Sequence, residues 1–142
     1  MGTIVFDLDG VIATGTKEEI YSDEAGWAYE KCEVVESSRL LVSLLFLKNH
    51  TIIINTARPE VDREKTIAWL DQNAIPFSRL YMNKPRGEIY IDDRNYPKAF
   101  FPGDEATALE VAADIDKTVK RRLDRWEQGG KDPFHRKVTN PQ

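Results

Sequence analysis

Cysteine is almost absent from this sequence: Cys32 stands alone among 142 residues and cannot close an internal disulfide. A reducing compartment is therefore permitted, and the expected setting is the cytoplasm. Histidine is nearly as scarce; His50 and His135 are expected on the surface, and neither suits a metal cluster. Long apolar runs are missing too. The longest, such as Leu44 to Leu47 and Ile52 to Ile54, fall far short of the roughly 20 residues of a membrane span. No basic segment leads into an apolar one near Met1, so no signal peptide is expected. Charge of one sign is not in large excess: Lys and Arg total 20 against 24 Asp and Glu, a net charge of −4. Such a balance gives no global bias toward nucleic acid or an anionic membrane. Internal repeats and a Gly-rich phosphate loop are absent as well.

What remains is an ordinary globular composition, 41% hydrophobic and 31% charged, of a length that suits one domain with a real core. Short apolar runs alternate with helical patterns. Residues 3–8, 51–55, 79–82 and 88–92 read as strands, and 99–101 as a short fifth. Helices are expected over 37–48, where Ser37 or Ser38 can cap, over 60–73 behind Pro59, and over 105–128. In the second of these Val61, Ile67, Ala68 and Leu70 can face the core. Residues 10–35 carry no clear period and are expected to form a flap with little regular structure, holding Tyr21, Trp27 and Tyr29. These aromatics either cover the site or complete a core. The expected fold is α/β, three-layered and Rossmann-like, around a mainly parallel central sheet whose strands are buried on both faces. It spans 1–128, with a polar tail over 129–142.

Ligands of open parallel sheets bind beyond the carboxyl ends of the strands. Asp7 and Asp9 follow the first strand, Thr56 the second, Lys84 the third, and Asp92 and Asp93 the fourth. Carboxylates crowded in this way repel one another unless a cation joins them. With oxygen donors and no His or Cys, the fitting ion is Mg²⁺. Lys84 adds a compact positive charge that can neutralise Asp7 and a phosphate oxygen together. Thr56 adds a hydroxyl donor. A calcium EF-hand loop beginning at Asp7 is rejected, because it needs a third oxygen ligand where Val11 stands.

Phe6-Asp7-Leu8-Asp9-Gly10-Val11-Ile12 resembles the first motif of the haloacid dehalogenase-like (HAD) superfamily. Asn55-Thr56-Ala57-Arg58 is similar to its second motif, Lys84 to the third-motif lysine, and Ile91-Asp92-Asp93 to the fourth. All occur in order across residues 6–93. The resemblance implies a phosphomonoesterase in which Asp7 is the nucleophile that becomes an aspartyl-phosphate, and Asp9 the general acid and base. Thr56, Ala57 and Lys84 would hold the phosphoryl oxygens. Mg²⁺ would be bound by Asp7, Asp9 (through its backbone carbonyl), Asp92 and Asp93. Arg58, which could equally pair with a surface acid, and Arg94 are candidate substrate contacts.

The segments between motifs are too short for a large cap domain, so a minimal-cap member with an open site is expected. The expected substrate is a small phosphorylated metabolite such as a sugar phosphate or nucleotide. Alternatives are a nucleic-acid end phosphatase, for which the basic 105–128 helix offers a patch, and a silent partner-binding domain. Homo-oligomerisation stays open; membrane association is not expected.

Overall fold

The chain begins, in a computed structural model that describes residues 1–15, 17–96, 110, 113, 114, 116–121, 123 and 124, with β1 (Thr3–Phe6). The flap segment follows as β2 (Ala13–Thr14), α1 (Lys17–Ile20), β3 (Tyr21–Ser22), β4 (Gly26–Trp27), a 3-10 turn over Tyr29–Lys31, and β5 (Glu33–Val34). Then come α2 (Glu36–Leu47), β6 (Thr51–Asn55), a 3-10 turn over Glu60–Asp62, α3 (Arg63–Gln72) and β7 (Arg79–Tyr81). The result is a small α/β fold. β1, β6 and β7 form a parallel sheet in the order β1-β6-β7, and two small antiparallel sheets pair β2 with β5 and β3 with β4.

Register decides where the chain leaves the parallel sheet. Phe6 pairs with Ile54, and Ile54 with Leu80, so these three stand side by side on one face. All three are buried, with Ile52 beneath them. The three strands therefore end level, and the residues that follow emerge along one edge. Because side chains alternate across a strand, the opposite face presents Val5, Ile53 and Arg79. Val5 is 56% exposed, so burial on both faces, expected from the apolar run, holds for β1 on one face alone.

The helices confirm their expected places with small shifts. α2 begins at Glu36, and no side chain caps it. Ser38 is used differently: its hydroxyl donates to the Val11 carbonyl at 2.6 Å, tying the helix to the turn after β1. Pro59 opens a 3-10 turn in place of α-helix, and α3 follows directly. Its buried face is Thr66, Trp69 and Leu70; Val61 and Ala68, expected inward, are exposed.

The flap departs most from expectation. It is not loosely structured: Ile12, Ala13, Ile20, Tyr29 and Cys32 all belong to the core. Long-range bonds fix it, including the Trp69 indole N–H donated to the Cys32 carbonyl at 3.0 Å. Cys32 is buried as a free thiol.

The chain divides into two units, Met1–Pro85 and Arg86–Gln142. In the second, residues 88–92 form no strand, against expectation; Tyr90 and Ile91 are exposed, so the alternating pattern is not stabilised by burial. Described residues between 110 and 124 are helical, as expected for the 105–128 helix. The expected strand at 99–101 and the tail at 129–142 lie outside the described residues, as does His135. Among the described residues, no helix is long and apolar enough to cross a membrane.

Candidate active site

Asp7 is the first residue beyond β1. One of its carboxylate oxygens, Oδ1, accepts the Leu8 N–H at 2.8 Å. The other faces Lys84: Nζ lies 3.9 Å from Oδ2, with the side chains 18% (Lys84) and 41% (Asp7) exposed. That spacing is an ion pair without a tight hydrogen bond, and it leaves Asp7 accessible.

The chain then folds back sharply. The Leu8 carbonyl accepts N–H groups from Val11, Ile12 and Ala13 at 3.2, 2.8 and 3.0 Å, and Gly10 N–H donates to Ala13 at 2.8 Å. Gly10 sits at φ +88°, a left-handed conformation that favours glycine. The turn drops Leu8 and Ile12 into the core and holds Asp9 at the surface.

The loops after β6 and β7 are laced together. Thr56 N–H donates to the Tyr81 carbonyl, Asn83 N–H to that of Arg58, and Lys84 N–H to that of Thr56, each at 2.9 Å. The Asn83 side chain accepts the Glu60 N–H at 3.1 Å, and Asn83 itself adopts φ +59°. Lys84 is thus placed by backbone bonds to the Thr56–Arg58 turn. Thr56 is buried, its hydroxyl oxygen accepting the Arg58 N–H at 3.2 Å. Ala57 is half-buried between them.

Arg58 is 2% exposed. Of the two roles open to it, contact with substrate or pairing with a surface acid, the structure shows the second: its guanidinium is turned onto Asp9. Nε donates to Asp9 Oδ2 at 2.9 Å and Nη2 to Oδ1 at 2.7 Å, a two-pronged pair. Nη1 donates to the Thr66 hydroxyl at 3.3 Å. The ring of Tyr29 lies under the guanidinium, 3.8 Å from Cζ to ring centroid. Tyr29 in turn donates its hydroxyl proton to Asp62 Oδ2 at 2.8 Å, in a buried setting. Trp27 stacks on Tyr29 with centroids 6.0 Å apart, and Tyr21 meets Trp27 at 4.9 Å.

Burial works against the Arg58 charge, but the hydrogen bonds and charge of Asp9 outweigh it and raise the Arg58 pKa. Burial also raises the Tyr29 hydroxyl well above its ordinary range, reinforced by the bond to Asp62 and that carboxylate's charge, and partly offset by Arg58. The Cys32 thiol is pushed up chiefly by burial, with Arg58 pulling the other way.

Tyr29, expected either to cover the site or to complete a core, is buried in the core and also supports Arg58. Asp62 and Thr66 carry no local signal in the sequence: the partner of Asp62 lies 33 positions away, and Thr66 reads as an ordinary position of α3. Asp92, Asp93 and Arg94 belong to the second unit and are exposed. There the Arg94 N–H donates to Asp92 Oδ1 at 2.9 Å, and the Asn95 amide to the Asp92 carbonyl at 3.2 Å, which makes an Asx-type turn. Among the described residues, no three His, Cys, Asp or Glu side chains form a metal-sized cluster. The donors in the first unit are hard oxygens that suit Mg²⁺. The motif resemblance names the Asp7 carboxylate and the Asp9 backbone carbonyl as those donors; the Asp9 carboxylate is engaged by Arg58.

No protein-family model matches the chain, and no curated protein matches it. Among solved structures, it is similar to the crystal structure of a structural-genomics target from Vibrio cholerae. The identity is 21% and the TM-score 0.50, over 67% of this chain and 82% of that one. That likeness speaks to the fold alone.

Proposed function

We propose that this protein is a Mg²⁺-dependent phosphomonoesterase of the HAD type, a three-layer Rossmann-like hydrolase with a small cap, in which Asp7 is the nucleophile. One observation carries the reading. Three parallel strands end level, and the loops beyond them set Lys84 Nζ 3.9 Å from Asp7 Oδ2, with the Thr56 turn bonded to Lys84. A carboxylate nucleophile with an ammonium beside it suits attack on a phosphoryl group, whose charge the ammonium offsets as it develops.

In the first step an Asp7 oxygen bonds to phosphorus and the P–O bond to the alcohol breaks. Asp9 gives its proton to the departing oxygen, and an aspartyl-phosphate remains on Asp7. In the second step Asp9, now a carboxylate, takes a proton from water as that water attacks phosphorus. Phosphate leaves and Asp7 is restored. Arg58 uses one lone pair on each Asp9 oxygen, and each carboxylate oxygen has a second. The Asp9 side chain is 49% exposed, so the carboxyl group stays accessible to a leaving group. Bound Mg²⁺ supplies charge neutralisation on the phosphoryl oxygens. The Asp7 carboxylate and the Asp9 carbonyl would hold it.

A small soluble phosphate ester in the cytoplasm is the substrate class we favour. The test is phosphate release from a panel of esters with Mg²⁺ present and with Mg²⁺ chelated. Asp7→Asn should lower turnover by at least about 10³-fold, as expected when a nucleophile is lost. Full Mg²⁺-dependent turnover by Asp7→Asn would overturn the proposal.

A further inference from the structure

We propose that Arg58 is the positioning residue of the acid/base Asp9, and that the flap, through Tyr29, holds Arg58 in place. The inference rests on the phosphatase reading and adds to it a role for a side chain that no substrate can reach.

The argument begins with how completely the guanidinium is fixed. Nε and Nη2 take both oxygens of Asp9, at 2.9 and 2.7 Å. Nη1 takes the Thr66 hydroxyl of α3 at 3.3 Å. The face of the plane rests on Tyr29 at 3.8 Å, and Tyr29 is tied to Asp62 at 2.8 Å. A planar fork held by its edge and its face has almost no freedom to rotate. It passes that constraint to Asp9, because two parallel hydrogen bonds fix the plane of a carboxylate as well as its distance. Lysine cannot do this, since its ammonium is a point charge on a flexible stem.

Exposure separates this pair from a purely structural tie. Arg58 is 2% exposed and Asp9 49%, so the pair is anchored on one side and open on the other. The open side belongs to the carboxylate, the group that must meet the leaving oxygen. Tyr29 comes from the flap, so the flap also builds the support of the acid/base. A group that must stand within hydrogen-bond reach of a leaving oxygen works best when its rotamer is set in advance.

The experiment compares two esters in one enzyme sample. Para-nitrophenyl phosphate has a leaving group that departs with little need of a proton, whereas glycerol phosphate has an alcohol that needs one. Arg58→Lys keeps the charge and loses the fork. Its kcat/KM on glycerol phosphate, which reads the steps up to departure of the alcohol and not the later attack of water that both esters share, should fall by about 10- to 100-fold, a sizeable share of what general acid catalysis supplies. Its kcat/KM on para-nitrophenyl phosphate should change by less than about threefold on the same grounds. Partial unfolding lowers both rates equally, so the ratio of the two reads positioning and not fold. Tyr29→Leu, which keeps Arg58 and removes its platform, should shift the ratio the same way by a smaller factor. In an Asp9→Asn background Arg58→Lys should cost nothing further on either ester.

Equal falls on both esters, or an undiminished Arg58→Lys cost in the Asp9→Asn background, would overturn the inference and leave the phosphatase reading standing. Failure of the unaltered protein to hydrolyse either ester would overturn both.

Discussion

The sheet edge and the flap solve the same problem, the placing of polar groups at a surface, by opposite means. At the sheet edge the order is local. β1, β6 and β7 end in register, and each site residue comes within a few positions of a strand end. In the flap the order is borrowed. Its strands are two residues long, too short to stand alone. They are held because Tyr29 and Cys32 bond to Asp62 and Trp69, 33 and 37 positions further along the chain. The first arrangement tolerates change in the side chains it displays, because backbone bonds place them. The second depends on the side chains themselves.

The largest expected effect tests that difference in the flap. Tyr29→Ala removes a buried ring together with a buried hydroxyl bond, and should cost about 3–5 kcal/mol in a urea titration, the range for truncating a core aromatic. Tyr29→Phe keeps the ring and leaves the Asp62 carboxylate short of a partner, so a loss of about 1–3 kcal/mol is expected. If both substitutions left the urea midpoint unchanged, the flap would not be anchored as described.

Lys84→Met probes the sheet edge. Backbone bonds to Thr56 place Lys84, so stability should move by no more than about 0.5 kcal/mol, as for surface changes generally. Turnover of phosphate esters should nevertheless fall by about 10²- to 10³-fold, the usual cost of one charge-stabilising donor. A variant that lost stability and kept its rate would reverse the roles given to the two regions.

Legibility in the sequence follows the same division. The strands at 3–6, 51–55 and 79–81 were readable because each is an apolar run closed by a polar motif, and α2 was misplaced by a single residue at each end. Ile12, Ala13, Ile20, Tyr29 and Cys32 obey neither a period of two nor one of 3.6, so the flap read as irregular although all five are core. Arg58, two positions after Thr56, reads either as a substrate contact or as the partner of an acid, and the sequence does not choose because Asp9 is 49 positions away. Residues 88–92 show the reverse error. Glu-Ile-Tyr-Ile-Asp has strong strand character, yet no strand forms there and Ile91 is 59% exposed. Strand propensity of this kind reports fit to a half-buried surface and carries little weight without one.

Alkaline pH gives a subtler test of the flap. Cys32 and Tyr29 both have raised pKa values in the folded chain, mainly through burial. A raised group leaves stability intact below its unfolded pKa and reduces it as pH climbs toward the folded value, because the unfolded chain loses its proton first. With ordinary values of 9.0 for the thiol and 10.0 for the phenol, urea midpoints should hold to about pH 8.5 and then decline. The loss is at most about 1.4 kcal/mol per pH unit for each group. Tyr29→Phe should flatten the part above pH 10, and Cys32→Ala the part that begins near pH 9. An identical slope in both variants would place the alkaline loss elsewhere in the protein.

The smallest contrast lies between two glycines. At Gly10, beside the sheet edge, a Cβ would meet nothing within 4 Å, but φ is +88°. Gly10→Ala therefore acts through backbone strain alone, worth about 1–2 kcal/mol. At Gly15, in the flap, the backbone is ordinary and the space is tight: a Cβ would lie 3.3 Å from Ile20 Cγ2 and 3.8 Å from Cys32 Cα. The cost there depends on whether Ile20 can give way. Since Ile20 is itself buried, Gly15→Ala should destabilise by about 0.5–1 kcal/mol, below the usual range for overpacking a core because only one contact is close. Ile20→Val trims the crowded side chain, and in that background the cost of Gly15→Ala should vanish while that of Gly10→Ala persists. Double-mutant urea titrations read this directly. Were Gly10→Ala also rescued by Ile20→Val, the turn after β1 would owe its shape to flap packing, and the line between the two regions would have to be redrawn.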